Sequence, residues 1–292
     1  MSDSAALLRQ IAERLPGETP ELDAQVLLAH VLGRERTWLL AHLETIPSPA
    51  QETALETDVR RLEEGTPLPY VLGRWEFFGL DFEVTPDVLI PRPETELLVE
   101  TALHWLRNHP SGSGQRLLDV GTGSGCIAVS LAVHAPEARV TATDLSAAAL
   151  EVALRNAARH GVQDRVRFLQ CDLLTPVEIP DTDLPPAALD PAAFEIVTAN
   201  LPYIPSDTLT GLDVYRHEPT LALYGGPDGL ELIRRLLDAL GERMLPDCLA
   251  LLEIESSLGR AARALAEAAF PAANIEIKRD LAGYDRLVVI ET

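Results

Sequence analysis

An apolar run, FEIVTA at 194–199, ends in Asn200-Leu201-Pro202-Tyr203, where one more buried strand residue is expected. These four residues have the means to hold a nitrogen. The Asn200 side-chain oxygen and the Leu201 peptide oxygen are acceptors for the N–H groups of an amine or amide. Pro202 limits the ways in which the turn could swing them aside, and Tyr203 offers a flat face on which a planar amide or base can stack. Asn200 and Tyr203 are therefore the candidate catalytic residues, and Leu201 and Pro202 complete a substrate grip.

A second group lies upstream. In LLDVGTGSGCIAVSLA (117–132) a strand pattern, a glycine-rich turn and a helix pattern follow one another directly. Gly121, Gly123 and Gly125 remove side chains where the backbone must turn sharply and let a ligand approach the helix N-terminus, with Thr122 and Ser124 between them. A tight β–α turn also uses glycine for geometry alone, so the loop gains meaning from its neighbours. A dinucleotide turn of the form G-x-G-x-x-G needs glycine at 126, where Cys126 stands, which disfavours a pyrophosphate ligand. Asp144 ends the next strand pattern, 23 residues after Gly121, where a carboxylate can accept from both hydroxyls of a ribose. Capping a neighbouring helix is the other use of an acid there. Asp172 ends the third strand pattern, and with Leu173 it can border an adenine, one by hydrogen bonding and the other by packing.

Other chemistries find less support. Cys126, Cys171 and Cys248 are odd in number, far apart and set among apolar neighbours, which suits buried thiols rather than a disulfide framework or a Cys/His metal site. His30, His42, His104, His109, His134, His160 and His217 show no ligand spacing, and no metal is expected. Lys and Arg number 24 against 45 Asp and Glu, and the net charge of −21 repels phosphate backbones, so stable nucleic-acid binding is not expected. Charges interrupt the apolar stretches well short of a membrane span, and the first residues lack the apolar core of a leader. A cytoplasmic protein with no membrane association is expected, and as nothing demands a dimer, a monomer.

The elements that must position these residues follow from periodicity. Residues 1–65 carry apolar positions at helical spacing, with Thr19-Pro20 and Ser48-Pro49-x-Gln51 as start signals and Gly33 and Gly65 as stops, which predicts a small helical bundle suited to substrate docking. Residues 66–94 break that period: RWEFFGLDFEV alternates about Gly79 as a β-hairpin does, and Pro86, Pro91 and Pro93 stiffen the connector after it. From 95 to 292, strand patterns at 116–120, 138–144, 165–171, 194–199, 249–255, 274–279 and 286–292 mostly alternate with helical ones at 95–108, 125–134, 146–160, 228–243 and 257–269. This predicts an α/β fold, a doubly wound, mainly parallel seven-stranded sheet of Rossmann-like type. The Pro- and Asp-rich stretch at 176–193 reads as a surface insertion. In such a sheet ligands bind beyond the carboxyl ends of the strands, where both groups of residues fall.

The glycine loop with acidic ends on the second and third strands resembles the class I methyltransferases that use S-adenosylmethionine. That resemblance implies a loop holding the amino-acid part of the cofactor and a sulfonium methyl near Asn200. Over a longer reach the chain is similar to the release factor glutamine methyltransferases, the PrmC/HemK family, in PLPYVLGRWEFFGLDFEV (67–84), LIPRPETELLVE (89–100), LLDVGTGSGCIA (117–128), NLPYIP (200–205) and DVYRHEPTLALYGGPDGL (213–230).

The resemblance implies N5 methylation of the glutamine in the Gly-Gly-Gln loop of peptide chain release factors, with S-adenosyl-L-homocysteine as product. It implies a cofactor site of Gly121, Thr122, Gly123, Ser124, Gly125, Asp144, Asp172, Leu173 and Asn200, a substrate grip of Asn200 to Tyr203, and a pocket mouth framed by Arg92, Glu94, Glu218 and Pro219. No strong base is needed, because an N-methylated amide cation gives its proton to water. The chain departs from the family pattern at Leu201, where proline is more usual, and at SSLG (256–259), where Gly-Gln often stands.

Three other readings compete. NLPY also occurs in ribosomal RNA adenine dimethyltransferases, but those carry a C-terminal helical domain and a basic surface. A methyltransferase acting on another protein or a small molecule shares the cofactor residues. A non-catalytic binding module of the same fold has no use for Asn200.

Overall fold

The computed structural model describes residues 3–110, 115–177, 189, 194–209, 211, 217–241, 244 and 247–292. By its internal contacts the chain divides into two compact units, Met1–Arg74 and Trp75–Thr292.

The first unit is helical, with α1 (Ser4–Ala12), α2 (Pro20–Leu32), α3 (Arg36–Ala41), α4 (Pro49–Glu63) and α5 (Leu68–Leu72). Ser48 and Gln51 form the capping box expected at the start of α4, whereas Thr19 makes no side-chain cap bond to α2. Gly33 closes α2 in the left-handed region at φ 64°. The other helices pack on α2, and Leu27, Leu28, Leu39, Leu55 and Val59 form the core. Helix α5 lies in a stretch without helical period: Pro67 precedes it, Pro69 occupies its first turn, where a missing N–H costs nothing, and Gly73 ends it.

A hairpin of β1 (Arg74–Phe77) and β2 (Leu80–Glu83) follows, all but its first residue in the second unit. Phe78 and Gly79 both have positive φ, 52° and 74°, as a type I′ hairpin turn requires. The connector enters a 3₁₀ turn (Pro93–Thr95) and then α6 (Glu96–Asn108), β3 (Arg116–Val120), α7 (Cys126–His134), β4 (Arg139–Asp144), α8 (Ala147–Arg159), β5 (Val166–Asp172), β6 (Thr175–Pro176), β7 (Ile196–Ala199), α9 (Ser206–Leu209), α10 (Glu231–Leu240), β8 (Leu249–Glu253), α11 (Gly259–Ala269), β9 (Asn274–Arg279) and β10 (Asp285–Glu291).

The sheet runs in the order β6-β5-β4-β3-β7-β8-β10-β9. All seven expected strands are present, and β6 adds a two-residue antiparallel edge. β3, β4, β5, β7 and β8 are mutually parallel, and β10 is antiparallel to both β8 and β9. Alternation along each strand sends Leu117, Val140, Ile196 and Leu251 to the core beneath α6 and α7, and Leu118, Val197 and Ala250 to the core beneath α10 and α11. Both faces are thus covered, which explains strands that read as continuous apolar runs. The expected insertion at 176–193 lies mostly outside the described residues, as do 213–216 of the long motif.

Strand order reverses between β4-β3 and β7-β8. That switch point leaves a crevice beyond the carboxyl ends of the strands.

Candidate active site

A cavity of about 620 Å³ occupies this crevice. The glycine loop forms its floor. Gly121, Gly123 and Gly125 have φ of 72°, 55° and 79°, conformations a side chain would strain. A Cβ at Gly125 would stand 3.0 Å from the Cβ of Ala153, so the third glycine also lets α8 close on the loop. Gly121 and Thr122 donate their N–H groups to Thr143 O at 2.8 and 2.9 Å, which stitches the loop to the end of β4.

Asp144 sits at that end and lines the cavity. Its carboxylate accepts from the N–H of Gly123 at 2.8 Å and of Ser146 at 2.9 Å. Burial raises its pKa and these backbone donors oppose the rise. A carboxylate has about four acceptor positions, so Asp144 keeps capacity for further hydroxyl donors. Asp172, at the end of β5, accepts from Arg235 Nη2 at 2.8 Å. This ion pair, between residues 63 positions apart, links β5 to α10, and Arg235 itself lines the cavity. Leu173 has φ 54°, uncommon for a bulky side chain, and its carbonyl accepts from Thr143 Oγ1 at 3.1 Å.

The opposite wall is the turn after β7. Asn200, Leu201 and Pro202 line the cavity. Asn200 Nδ2 donates to Thr95 Oγ1 at 3.1 Å, which occupies the NH₂ end of the amide and leaves its oxygen for a donor. Tyr203, expected to present its ring to a guest, is absent from the residues lining the cavity. Gly225 and Gly229 of GGPDG (225–229) pack on its backbone: a Cβ on Gly225 would fall 2.5 Å from Tyr203 Cα, and one on Gly229 would fall 2.3 Å from Tyr203 O. The same segment bonds to the turn through Ile204 N to Leu223 O at 3.0 Å and Gly225 N to Ile204 O at 2.9 Å. The Tyr203 phenol is pushed up to about 12, first by burial and then by the charge of Glu253.

The connector closes a third side through Val88, Leu89, Pro91 and Arg92. Arg92 pairs with the buried carboxylate of Glu218, which also accepts from Ile90 N at 3.1 Å. Of the four residues expected at the mouth, Arg92 and Pro219 line the cavity, whereas Glu94 and Glu218 do not.

Several residues that hold this geometry escaped the sequence reading. Asp119, fully buried in β3, accepts from Thr122 Oγ1 at 2.6 Å and Thr198 Oγ1 at 2.8 Å. Burial pushes it up to about 6 against those hydroxyls. Asn156 on α8 donates to the carbonyls of Glu83 at 3.0 Å and Ser124 at 2.9 Å, and accepts from Glu83 N at 2.7 Å, so it ties β2 to the glycine loop. Glu253 ends β8, buried, with its pKa raised to about 7, first by desolvation. The available signal for Asp119 and Glu253 was an acid inside an apolar strand run. Cys126, also at the cavity, is pushed up to about 12 by burial and is therefore a poor nucleophile. Among the described residues no group of His, Cys, Asp and Glu could hold a metal ion, and no helix is long and apolar enough to cross a membrane.

Comparison with known proteins agrees with this architecture. A family model for the PrmC N-terminal domain matches residues 6–73, and one for a methyltransferase domain matches residues 111–275. The release factor glutamine methyltransferase of Bordetella pertussis is 44% identical over 269 residues, 92% of this chain and 93% of its own. That of Moorella thermoacetica is 44% identical over 270 residues, 92% of this chain and 90% of its own. Among solved structures, the catalytic domain of hMettl16 in complex with MAT2A 3'UTR hairpin 6 shares the fold with a TM-score of 0.50 at 15% identity, covering 84% of this chain and 82% of that one. With such identity to full-length relatives, this enzyme belongs to the release factor glutamine methyltransferase family.

Proposed function

We propose that the protein transfers a methyl group from S-adenosylmethionine to the side-chain nitrogen of the glutamine in the Gly-Gly-Gln loop of peptide chain release factors. The observation that carries this reading is the Asn200 amide, whose NH₂ is engaged by Thr95 while its oxygen stays available at the cavity. An acceptor so held suits a guest that brings N–H groups, as a primary amide does.

The residues present fit the cofactor. The glycine loop leaves open space at Gly123, where no atom would meet an added Cβ within 4 Å. Asp144 retains acceptor capacity for ribose hydroxyls, and Leu145 and Leu173 give the same cavity apolar surface for a purine. Asp172, paired on one oxygen, retains the other for an exocyclic amine. When bound, S-adenosylmethionine supplies an electrophilic methyl group on a sulfonium.

The chain's own part is positioning. Asn200 Oδ1 and the Leu201 carbonyl accept from the glutamine N–H groups and orient the nitrogen, and Pro202 stiffens that turn. Tyr203 serves chiefly through its backbone, which Gly225 and Gly229 pin. Leu89 and Leu201 add apolar surface to the cavity, and the methylated amide releases its extra proton to water.

The net charge of −21 favours a protein substrate over an RNA one. Incubation with labelled S-adenosylmethionine and either purified release factor or ribosomal RNA tests the assignment. Label on the release-factor glutamine is expected. Label in RNA with none in protein rejects it.

A further inference from the structure

Glu253 ends β8, and Asn200 follows β7, the parallel strand beside it. The final register pair is Ala199 with Leu252, so Asn200 and Glu253 come next on the two strands, on the face covered by α6. Thr95 stands between them. Asn200 Nδ2 donates to its Oγ1 at 3.1 Å, and the hydroxyl is close enough to the Glu253 carboxyl to favour its charged form. Both residues are almost wholly buried, Thr95 at 2% exposure and Glu253 at 4%.

The direction of such a chain is set at its acceptor end. In its charged form Glu253 can only accept, and the Thr95 hydroxyl has a single proton to offer it. The hydroxyl oxygen must then accept from Asn200, and only the NH₂ end can give. The amide oxygen is left for the cavity. With a donor at position 253 the order can reverse, Thr95 donating to Oδ1 and the Asn200 NH₂ turning toward the guest, where it repels another N–H.

Glu253 is otherwise poorly placed. Its Oε2 is buried and finds no hydrogen-bond partner among the described residues. A half-satisfied buried carboxyl opposes folding, so its use lies in what it directs.

We propose that Glu253 is a positioning residue for methyl transfer, acting through Thr95 to hold the Asn200 side-chain oxygen toward the substrate nitrogen. This rests on the reading of the site as a glutamine methyltransferase centre. The charged and titratable groups facing the carboxyl are Arg92 and Glu94 on the connector, Arg286 on β10 and Tyr203 after β7, and the variants below leave all four in place.

The test uses Glu253→Gln, Thr95→Val and Thr95→Ser in the full chain, with two readouts. The first is the pair of Asn200 side-chain NH₂ resonances in ¹⁵N-labelled protein, assigned by their loss in Asn200→Ala. Both Glu253→Gln and Thr95→Val should move that pair, and Thr95→Ser should return it toward its original position. The second is steady-state methylation of release factor. Here kcat should fall about 10-fold or more in Glu253→Gln and in Thr95→Val, with the cofactor KM within about 2-fold. The double variant should be no worse than either single one, and Thr95→Ser should recover most of the loss.

Asn200 resonances unmoved by Glu253→Gln, or losses in the two single variants that multiply, would overturn the proposal. A wild-type protein inactive on release factor would reject the substrate assignment instead, while the resonances still decide the relay. If Glu253→Gln does not fold, Thr95→Val against Thr95→Ser decides on the same readouts.

Discussion

The Cδ2 methyl of Leu201 lies 3.0 Å from the point that a Cβ on Gly121 would occupy. The glycine loop and the turn after β7 are therefore packed on one another, and leucine at 201 fills a space that glycine at 121 leaves open.

Gly121→Ala tests this contact. The residue has φ 72°, where an L side chain costs about 1–2 kcal/mol, and its methyl would displace Leu201 as well. Affinity for S-adenosylhomocysteine, measured by calorimetry, should fall by about 10-fold or more. Unchanged affinity would remove the loop from the cofactor site.

Asn200→Ala removes the acceptor and deprives Thr95 of its donor. Turnover should drop by roughly 10²–10³, the scale of losing one preorganised polar contact at a reacting centre, with the melting temperature little changed. Near-normal kcat would show that the substrate nitrogen is held elsewhere.

Asp144→Asn puts an NH₂ where one of two backbone N–H groups now meets a carboxylate oxygen. The mismatch and the weaker acceptor should cost about 1–3 kcal/mol in cofactor binding, with a smaller effect on kcat at saturating cofactor. A change confined to kcat would contradict a ribose-binding role.

Gly225→Ala asks whether the GGPDG segment sets the turn. Gly225 does not need positive φ, so the effect is steric: the new Cβ would fall 2.5 Å from Tyr203 Cα and 2.7 Å from its carbonyl carbon. Turnover should fall by about 10-fold or more through displacement of Asn200 and Leu201, with cofactor affinity largely kept. Wild-type kcat would show that the turn is fixed without that segment.

Asp119 gives a pH signature. Burial holds its pKa near 6, above the ordinary 3.8. Between those values the native state keeps a proton that the unfolded chain has lost. Its stabilising contribution is complete below about 4 and fades as pH rises through about 6, by up to about 3 kcal/mol. Glu253 acts in the same direction between its ordinary 4.5 and about 7. Unfolding of wild type and Asp119→Asn from pH 4 to 7 isolates the first term: the variant should show the shallower decline, and identical slopes would contradict the assignment.

Legibility in the sequence followed the range of the interactions. The central strands announced themselves because each buries both faces, and Gly121, Asp144, Asp172 and Asn200 marked where four strands end. β6 did not, since two residues containing a proline carry no period. Helix α5 was hidden by prolines that suit a first turn yet read as breakers.

The glycine loop, Asp144, Asp172 and Asn200 stood out because their chemistry is local to a strand end. Thr95 and Asn156 did not. Thr95 meets Asn200 across 105 positions, and Asn156 meets Glu83 across 73, distances over which spacing says nothing. Tyr203 was legible as a residue but its setting was not, because the glycines that cover its backbone, Gly225 and Gly229, come from another part of the chain.

The placement of β10 between β8 and β9, antiparallel to both, bears on how the molecule is made. Leu287 is the register partner of Glu253, so a nascent chain that has not yet reached residues 285–291 leaves one flank of β8 bare. A chain cut short of that point also loses the strand through which β9 joins the sheet, so residues 285–291 secure two strands at once.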